Sequence, residues 1–158
     1  SGTLNIMHYV VGNNFFIPIK ELEIPFEVHV YSAHRTPELA AEFSKNAEDN
    51  GFGVIISAAG KAAHLGGVLA AYTTLPVIGL PIKSSTMDGL DSLLSTVQMP
   101  SGVPVATVAI DGAQNAAILA AQIIAISDSE LSVKLKNMKN AMKSKVVEKD
   151  ADISGRYI

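Results

Sequence analysis

Phe26-Glu27-Val28-His29-Val30-Tyr31, followed by Ser32-Ala33-His34-Arg35-Thr36-Pro37, is the stretch that decides how this chain folds. Phe26, Val28 and Val30 alternate with Glu27, His29 and Tyr31, the period of two of a β-strand. Thr36 is a good helix cap and Pro37 suits a first helical position, so a helix should begin directly afterwards. Leu39, Phe43 and Ala47 give that helix one apolar face, and Gly51 ends it. A strand, a short polar turn and a helix within 26 residues is the unit of a parallel α/β protein.

The same alternation continues in both directions. Leu4–Val11, Phe26–Tyr31, Gly53–Ala58, Pro76–Leu80 and Val103–Ile110 read as five strands. Helices are expected over Ala62–Thr73 and over Asp88–Met99, the latter with Leu90, Leu93, Leu94 and Val97 on one face. Ala113–Ile126 is a helix apolar nearly all round, which requires cover on more than one side. Asp128–Val147 carries a stripe of Leu131, Leu135, Met138 and Met142, and a polar tail from Glu148 to Ile158 should fray or drape over a neighbour. The expected fold is a three-layer α/β/α, flavodoxin-like domain over residues 1–158. Its parallel five-stranded sheet is followed by a C-terminal helix, with no linker or internal repeat.

Composition narrows the function. Charged residues make up 17% of the chain against 48% hydrophobic, too few to coat a lone small globule, so burial between copies is expected. A net charge of −3 gives no electrostatic ground for nucleic acid or an anionic membrane as partner. The absence of cysteine removes thiolate chemistry and thiolate metal sites. No basic-then-apolar leader or membrane-spanning run is read, so a cytoplasmic protein is expected, and Ser1-Gly2 carries no structural weight.

Ligands of open parallel sheets bind beyond the carboxyl ends of the strands. Gly12-Asn13-Asn14, Ser32-Ala33-His34-Arg35, Ala58-Ala59-Gly60-Lys61-Ala62-Ala63-His64 and Pro81-Ile82-Lys83-Ser84-Ser85 all fall on that edge. His34 follows a strand and precedes a helix, and histidine is the side chain suited to shuttle protons near neutral pH. Arg35, beside a helix N-terminus, suits phosphate through its fork of donors; a surface ion pair is the equal alternative on local grounds. His64 could orient the site or be an ordinary first-turn histidine. His8 and His29 read as strand-wall residues, and Lys143 in Ala141-Met142-Lys143 sits on a helical stripe rather than at the hairpin tip biotin attachment needs.

Taken together, Ser32–Pro37, Ala59-Gly60-Lys61-Ala62-Ala63-His64-Leu65, Asp91–Pro100 and Gly102–Ile110 resemble the N5-carboxyaminoimidazole ribonucleotide mutases, the PurE family, from about Lys20 to about Lys143. The loop ending Ala-Ala-His-Leu resembles the bacterial mutase branch more than the branch that carboxylates aminoimidazole ribonucleotide directly. The resemblance implies a cofactor-free and metal-free isomerase of purine biosynthesis that moves a carboxylate from the exocyclic amine to ring carbon 4. It also implies a homo-oligomer, an octamer, with a small ribonucleotide as its partner. His34 and His64 would be the catalytic residues, His34 as acid and base and His64 shaping the pocket. Ser32 and Arg35 would bind phosphate, and the Ala58, Ala59 and Gly60 backbone would line the carboxylate pocket. Gly12, Ser57, Lys61 and Leu65 complete the implied substrate-binding set.

One departure separates this chain from the family pattern. The family's first strand ends in a Gly-Ser-x-Ser-Asp loop, whereas here the stretch reads Gly12-Asn13-Asn14-Phe15-Phe16, with Pro18 inside a following helix shortened by about ten residues. The departure supports one competing expectation, a non-catalytic nucleotide-binding relative lacking the phosphate loop, against which the retention of His34 and His64 counts; a direct carboxylase is a further, separate expectation.

Overall fold

The computed structural model describes residues 3–7, 16–85 and 87–157. All strand pairings are parallel, in the order β2-β1-β3-β4-β5. The central strand, β3 (Phe52–Gly60), is buried through Val54, Ile55, Ile56, Ser57 and Ala58, as a strand covered on both faces must be. On one side lie β1 (Thr3–Met7) and the edge strand β2 (Phe26–His29), with Leu4 opposite both Phe26 and Val54. On the other side β4 (Val77–Ile82) runs in register from Ile55↔Val77 to Gly60↔Ile82, and β5 (Ala106–Thr107) pairs with Ile78 and Gly79.

Alternation along β3 divides the core in two. Val54, Ile56 and Ala58 face α5 (Ala113–Ile124), whose Ala116, Ala117, Ala120 and Ala121 are fully buried. Ile19 and Leu22, in and just after α1 (Phe16–Glu21), join that cluster. Ile55 faces Ala40 of α2 (Pro37–Asn46) and Leu65 and Leu69 of α3 (Leu65–Tyr72). The second cover that α5 needs comes from α6 (Ser129–Ser154), through Leu131, Leu135 and Met138. Asp128 caps α6 by accepting the Leu131 N–H at 2.9 Å. Lys134 of α6 also pairs with Glu23; its hydrogen bond, then its charge, holds the Glu23 carboxyl below the usual range.

Several expected boundaries move. β2 stops at His29, and β3 continues two residues further than expected, so Ala59 and Gly60 are ladder residues opposite Pro81 and Ile82 rather than loop. Small side chains there do not break a strand that has a partner on β4. The expected fifth strand Val103–Ile110 shrinks to two residues, because Pro104 has no N–H to donate. Val108 and Asp111 still bond to β4, at Gly79 O (3.1 Å) and Pro81 O (2.9 Å), without regular ladder geometry. The polar tail does not fray from Glu148: α6 continues as an exposed helix to Ser154.

Helix α4 (Leu90–Val97) packs with the opposite face to the one its apolar pattern advertises. Ser92 and Thr96 are buried, while Leu90, Leu94 and Val97 remain nearly half exposed. The buried hydroxyls are satisfied: Ser92 donates to Ile82 O and Gly89 O, and Thr96 to Ser92 O. Gly79 makes this approach possible, since a Cβ there would lie 2.2 Å from the Thr96 methyl.

Candidate active site

The residues between β2 and α2 form a closed turn. Ser32 O accepts the Thr36 N–H at 2.9 Å, and Ser32 Oγ accepts the N–H groups of His34 (3.3 Å) and Arg35 (3.2 Å). Thr36 Oγ1 accepts the Ser32 N–H at 2.8 Å and donates back to Ser32 O at 3.3 Å. Thr36 therefore stands at the N-cap of α2 but does not cap it, contrary to expectation: its hydroxyl is spent on the turn. The first-turn N–H groups of α2 are left without a side-chain acceptor, beside the exposed Arg35. Among the described residues no carboxylate pairs with Arg35.

The turn from β3 into α3 is held differently. Gly60 ends the strand, Lys61 adopts φ +56°, and His64 takes the N-cap position of α3, its N–H bonded to Ala62 O at 2.9 Å. Ser95 of α4 donates to Lys61 O at 3.5 Å. A left-handed conformation costs a non-glycine residue roughly 1–2 kcal/mol, and such strain concentrates at functional sites. Asp88 (φ +53°) and Asp111 (φ +55°) repeat it, so the loops after β3, β4 and β5 each hold one such residue at the same edge. The Asp111 carboxylate accepts the Lys83 N–H at 2.9 Å, and Ser84 donates to Asp91 at 3.1 Å, knitting the β4 and β5 loops together. Sequence reading placed Lys83–Ser85 on this edge but missed Asp91 and Asp111. The dipeptides Asp88-Gly89 and Asp111-Gly112 were the available turn signal.

These two turns bring His34 and His64 together from 30 residues apart. His34 Nε2 lies 2.9 Å from His64 Nδ1, with ring centroids 5.0 Å apart and ring planes at 68°. One ring nitrogen must donate and the other accept, so the pair is chemically able to move a proton. Both rings are exposed, and shallow clefts lie between α5 and α6 and beside Tyr72.

Three other expected site residues turn their side chains inward. Ser57 is 2% exposed and its hydroxyl has no partner among the described residues; it faces Gly66 of α3 from inside. Leu65 is core, packed with Leu69 and Ile55, and Ala58 is fully buried against α5. The physical reason is common to all three: β3 and the start of α3 are packed on both faces, so alternate side chains point inward. Ala59 and Gly60 are half-buried and Lys61 is exposed beside them. Gly12 and His8 lie outside the described residues, whereas His29 is a strand residue as expected, bonded to Glu27 at 3.2 Å. Among the described residues no three His, Cys, Asp or Glu side chains converge as metal ligands, and no helix is long and apolar enough to cross a membrane.

The sequence matches the family described as AIR carboxylase over residues 10–145. It is 57% identical, over 83% of its length and 74% of the relative's, to a protein of Pyrococcus horikoshii named N5-carboxyaminoimidazole ribonucleotide mutase. It is 50% identical, over 83% of its length, to a Schizosaccharomyces pombe protein named phosphoribosylaminoimidazole carboxylase, of which the match covers 24%. Among solved structures, Treponema denticola PurE superposes with a TM-score of 0.84 at 25% identity, covering 95% of this chain and 96% of that one.

Proposed function

The chain belongs to the AIR carboxylase family, and from that premise we propose that it is an N5-carboxyaminoimidazole ribonucleotide mutase of purine biosynthesis. The observation that carries the reading is the His34–His64 pair at the carboxyl edge of the parallel sheet, where ligands of such sheets bind. In the reaction the bond between the exocyclic nitrogen and the carboxylate carbon breaks, carbon dioxide is released in place, and the nitrogen takes a proton from His34. Ring carbon 4 then attacks the carbon dioxide, and His34 recovers the proton from that carbon. One proton leaves and one returns, so no metal, nucleotide or redox cofactor is required. Trapping the carbon dioxide against the ring supplies the proximity that solution lacks.

Ser32, Arg35 and the uncapped N-terminus of α2 are assigned to the ribonucleotide phosphate, as an unpaired guanidinium beside free backbone N–H groups favours an anion. The backbone of Ala59 and Gly60, with Lys61, is assigned to the carboxylate, and His64 to shaping the pocket beside His34. Strand order and helices on both sheet faces support the three-layer, flavodoxin-like reading. A purine-biosynthetic role implies a cytoplasmic enzyme.

We also propose a homo-oligomer, an octamer. Met87, Leu90, Leu94 and Val97 recur at spacings of three and four and are 52%, 46%, 45% and 49% exposed, an apolar stripe that a monomer would leave wet. A chain whose histidine pair lies on an open surface also needs a neighbour to exclude water from a trapped gas. Light scattering at micromolar concentration should report the oligomer, and a stable monomer would refute it.

The direct carboxylase is the second reading, supported by the relative in Schizosaccharomyces pombe. Turnover separates the two. Product should form from N5-carboxyaminoimidazole ribonucleotide without bicarbonate, and bicarbonate should not stimulate turnover of aminoimidazole ribonucleotide; the reverse pattern would establish the carboxylase.

A further inference from the structure

We infer that His64 is the positioning partner of His34: it accepts a hydrogen bond from His34 Nε2–H and so leaves His34 Nδ1 as the atom that exchanges a proton with substrate. The inference rests on the mutase reading and adds to it which nitrogen works and what selects that nitrogen.

The two rings are not anchored alike. His64 stands at the N-cap of α3, its N–H on Ala62 O and its carbonyl accepting the Val68 N–H at 3.0 Å, with the buried Leu65 next to it. His34 rides on an exposed surface turn. A ring fixed to a packed helix orients one carried by a turn, and the 2.9 Å contact, met edge-on at 68°, is the means. The proton accounting selects the direction of the bond. Neutral His34 must offer a bare nitrogen to receive the proton from ring carbon 4, and charged His34 must offer an N–H to the exocyclic nitrogen. If Nε2–H donates to His64 Nδ1 in both states, Nδ1 alone gains and loses the proton, and neither ring turns over between the steps. With the bond reversed, neutral His34 would carry its hydrogen on Nδ1 and its one bare nitrogen would be occupied by His64.

The test pairs His64→Leu with His64→Asn in the full chain, each measured against the unmodified chain. Loss of orientation at a reacting group costs about 10²-fold, so His64→Leu should lower kcat by about that factor with KM within about threefold. His64→Asn, whose amide oxygen is bonded to Cγ as Nδ1 is and can still accept from His34 Nε2–H, should recover at least about tenfold of the loss. Nitrogen NMR of the unliganded chain should show neutral His34 protonated on Nε2 and coupled across the bond to His64 Nδ1. The inference is overturned if His64→Leu keeps kcat within about threefold, if asparagine falls as far as leucine, or if neutral His34 carries its proton on Nδ1. Should the unmodified chain not convert the mutase substrate at all, the mutase reading fails by itself, and the NMR result alone then decides the pairing.

Discussion

The turn that carries His34 and the turn that carries His64 end strands at the same edge of one sheet, yet they are built from different materials. The first is tied by side-chain oxygens, with Ser32 and Thr36 closing four hydrogen bonds around it. The second is set by backbone conformation, a left-handed Lys61 between Gly60 and the start of α3. The hydroxyl-tied turn is a local device that can be altered without touching the core. The strained turn is imposed by packing, since β3 and α3 on either side of it are buried.

The largest effect should come from removing the product of the first turn while keeping the turn. His34→Asn retains the backbone N–H that Ser32 Oγ accepts but cannot shuttle a proton. Steady-state turnover should fall by about 10²–10⁴-fold with the melting curve unchanged, and more than about a tenth of the activity remaining would refute the acid–base role.

Breaking the turn itself should cost less. Thr36→Val preserves shape and removes both hydroxyl bonds to Ser32, and at about 0.5–1.5 kcal/mol per bond a urea titration should show a loss of roughly 1–3 kcal/mol. No change would mean that the turn is held by its neighbours.

The smallest effect should separate the two designs most sharply. Lys61→Gly should raise stability by up to about 1 kcal/mol, because glycine adopts the left-handed conformation freely. Lys61→Ala, which keeps the Cβ, should stay within about 0.5 kcal/mol of the parent. Equal effects of the two substitutions in thermal unfolding would remove strain from the account.

The same contrast explains what the sequence could and could not tell. The Ser32–Pro37 turn was legible because its chemistry is in its side chains, although Thr36 was assigned to the helix cap and serves the turn instead. The parallel α/β architecture was legible from alternating apolar runs. The extent of β3 was not: Ala59 and Gly60 look like loop residues, and only pairing with Pro81 and Ile82 makes them strand. Nor could composition reveal that Ser57 points inward, or that α4 packs through Ser92 and Thr96 while Leu90 and Leu94 face out. Facing is fixed by the neighbouring element, here by Gly79 admitting Thr96, and a helical period shows a face without showing what covers it. The Gly12-Asn13-Asn14 departure lies outside the described residues.

The central claim is that the carboxylate is moved within one bound molecule, with His34 passing a single proton. The direct measurement uses N5-carboxyaminoimidazole ribonucleotide labelled with carbon-13 in the carboxylate, turned over by the chain in excess unlabelled bicarbonate. The account predicts 4-carboxy-5-aminoimidazole ribonucleotide that keeps the label, because the freed carbon dioxide never leaves the site. Product carrying the isotope ratio of the bicarbonate pool would contradict it.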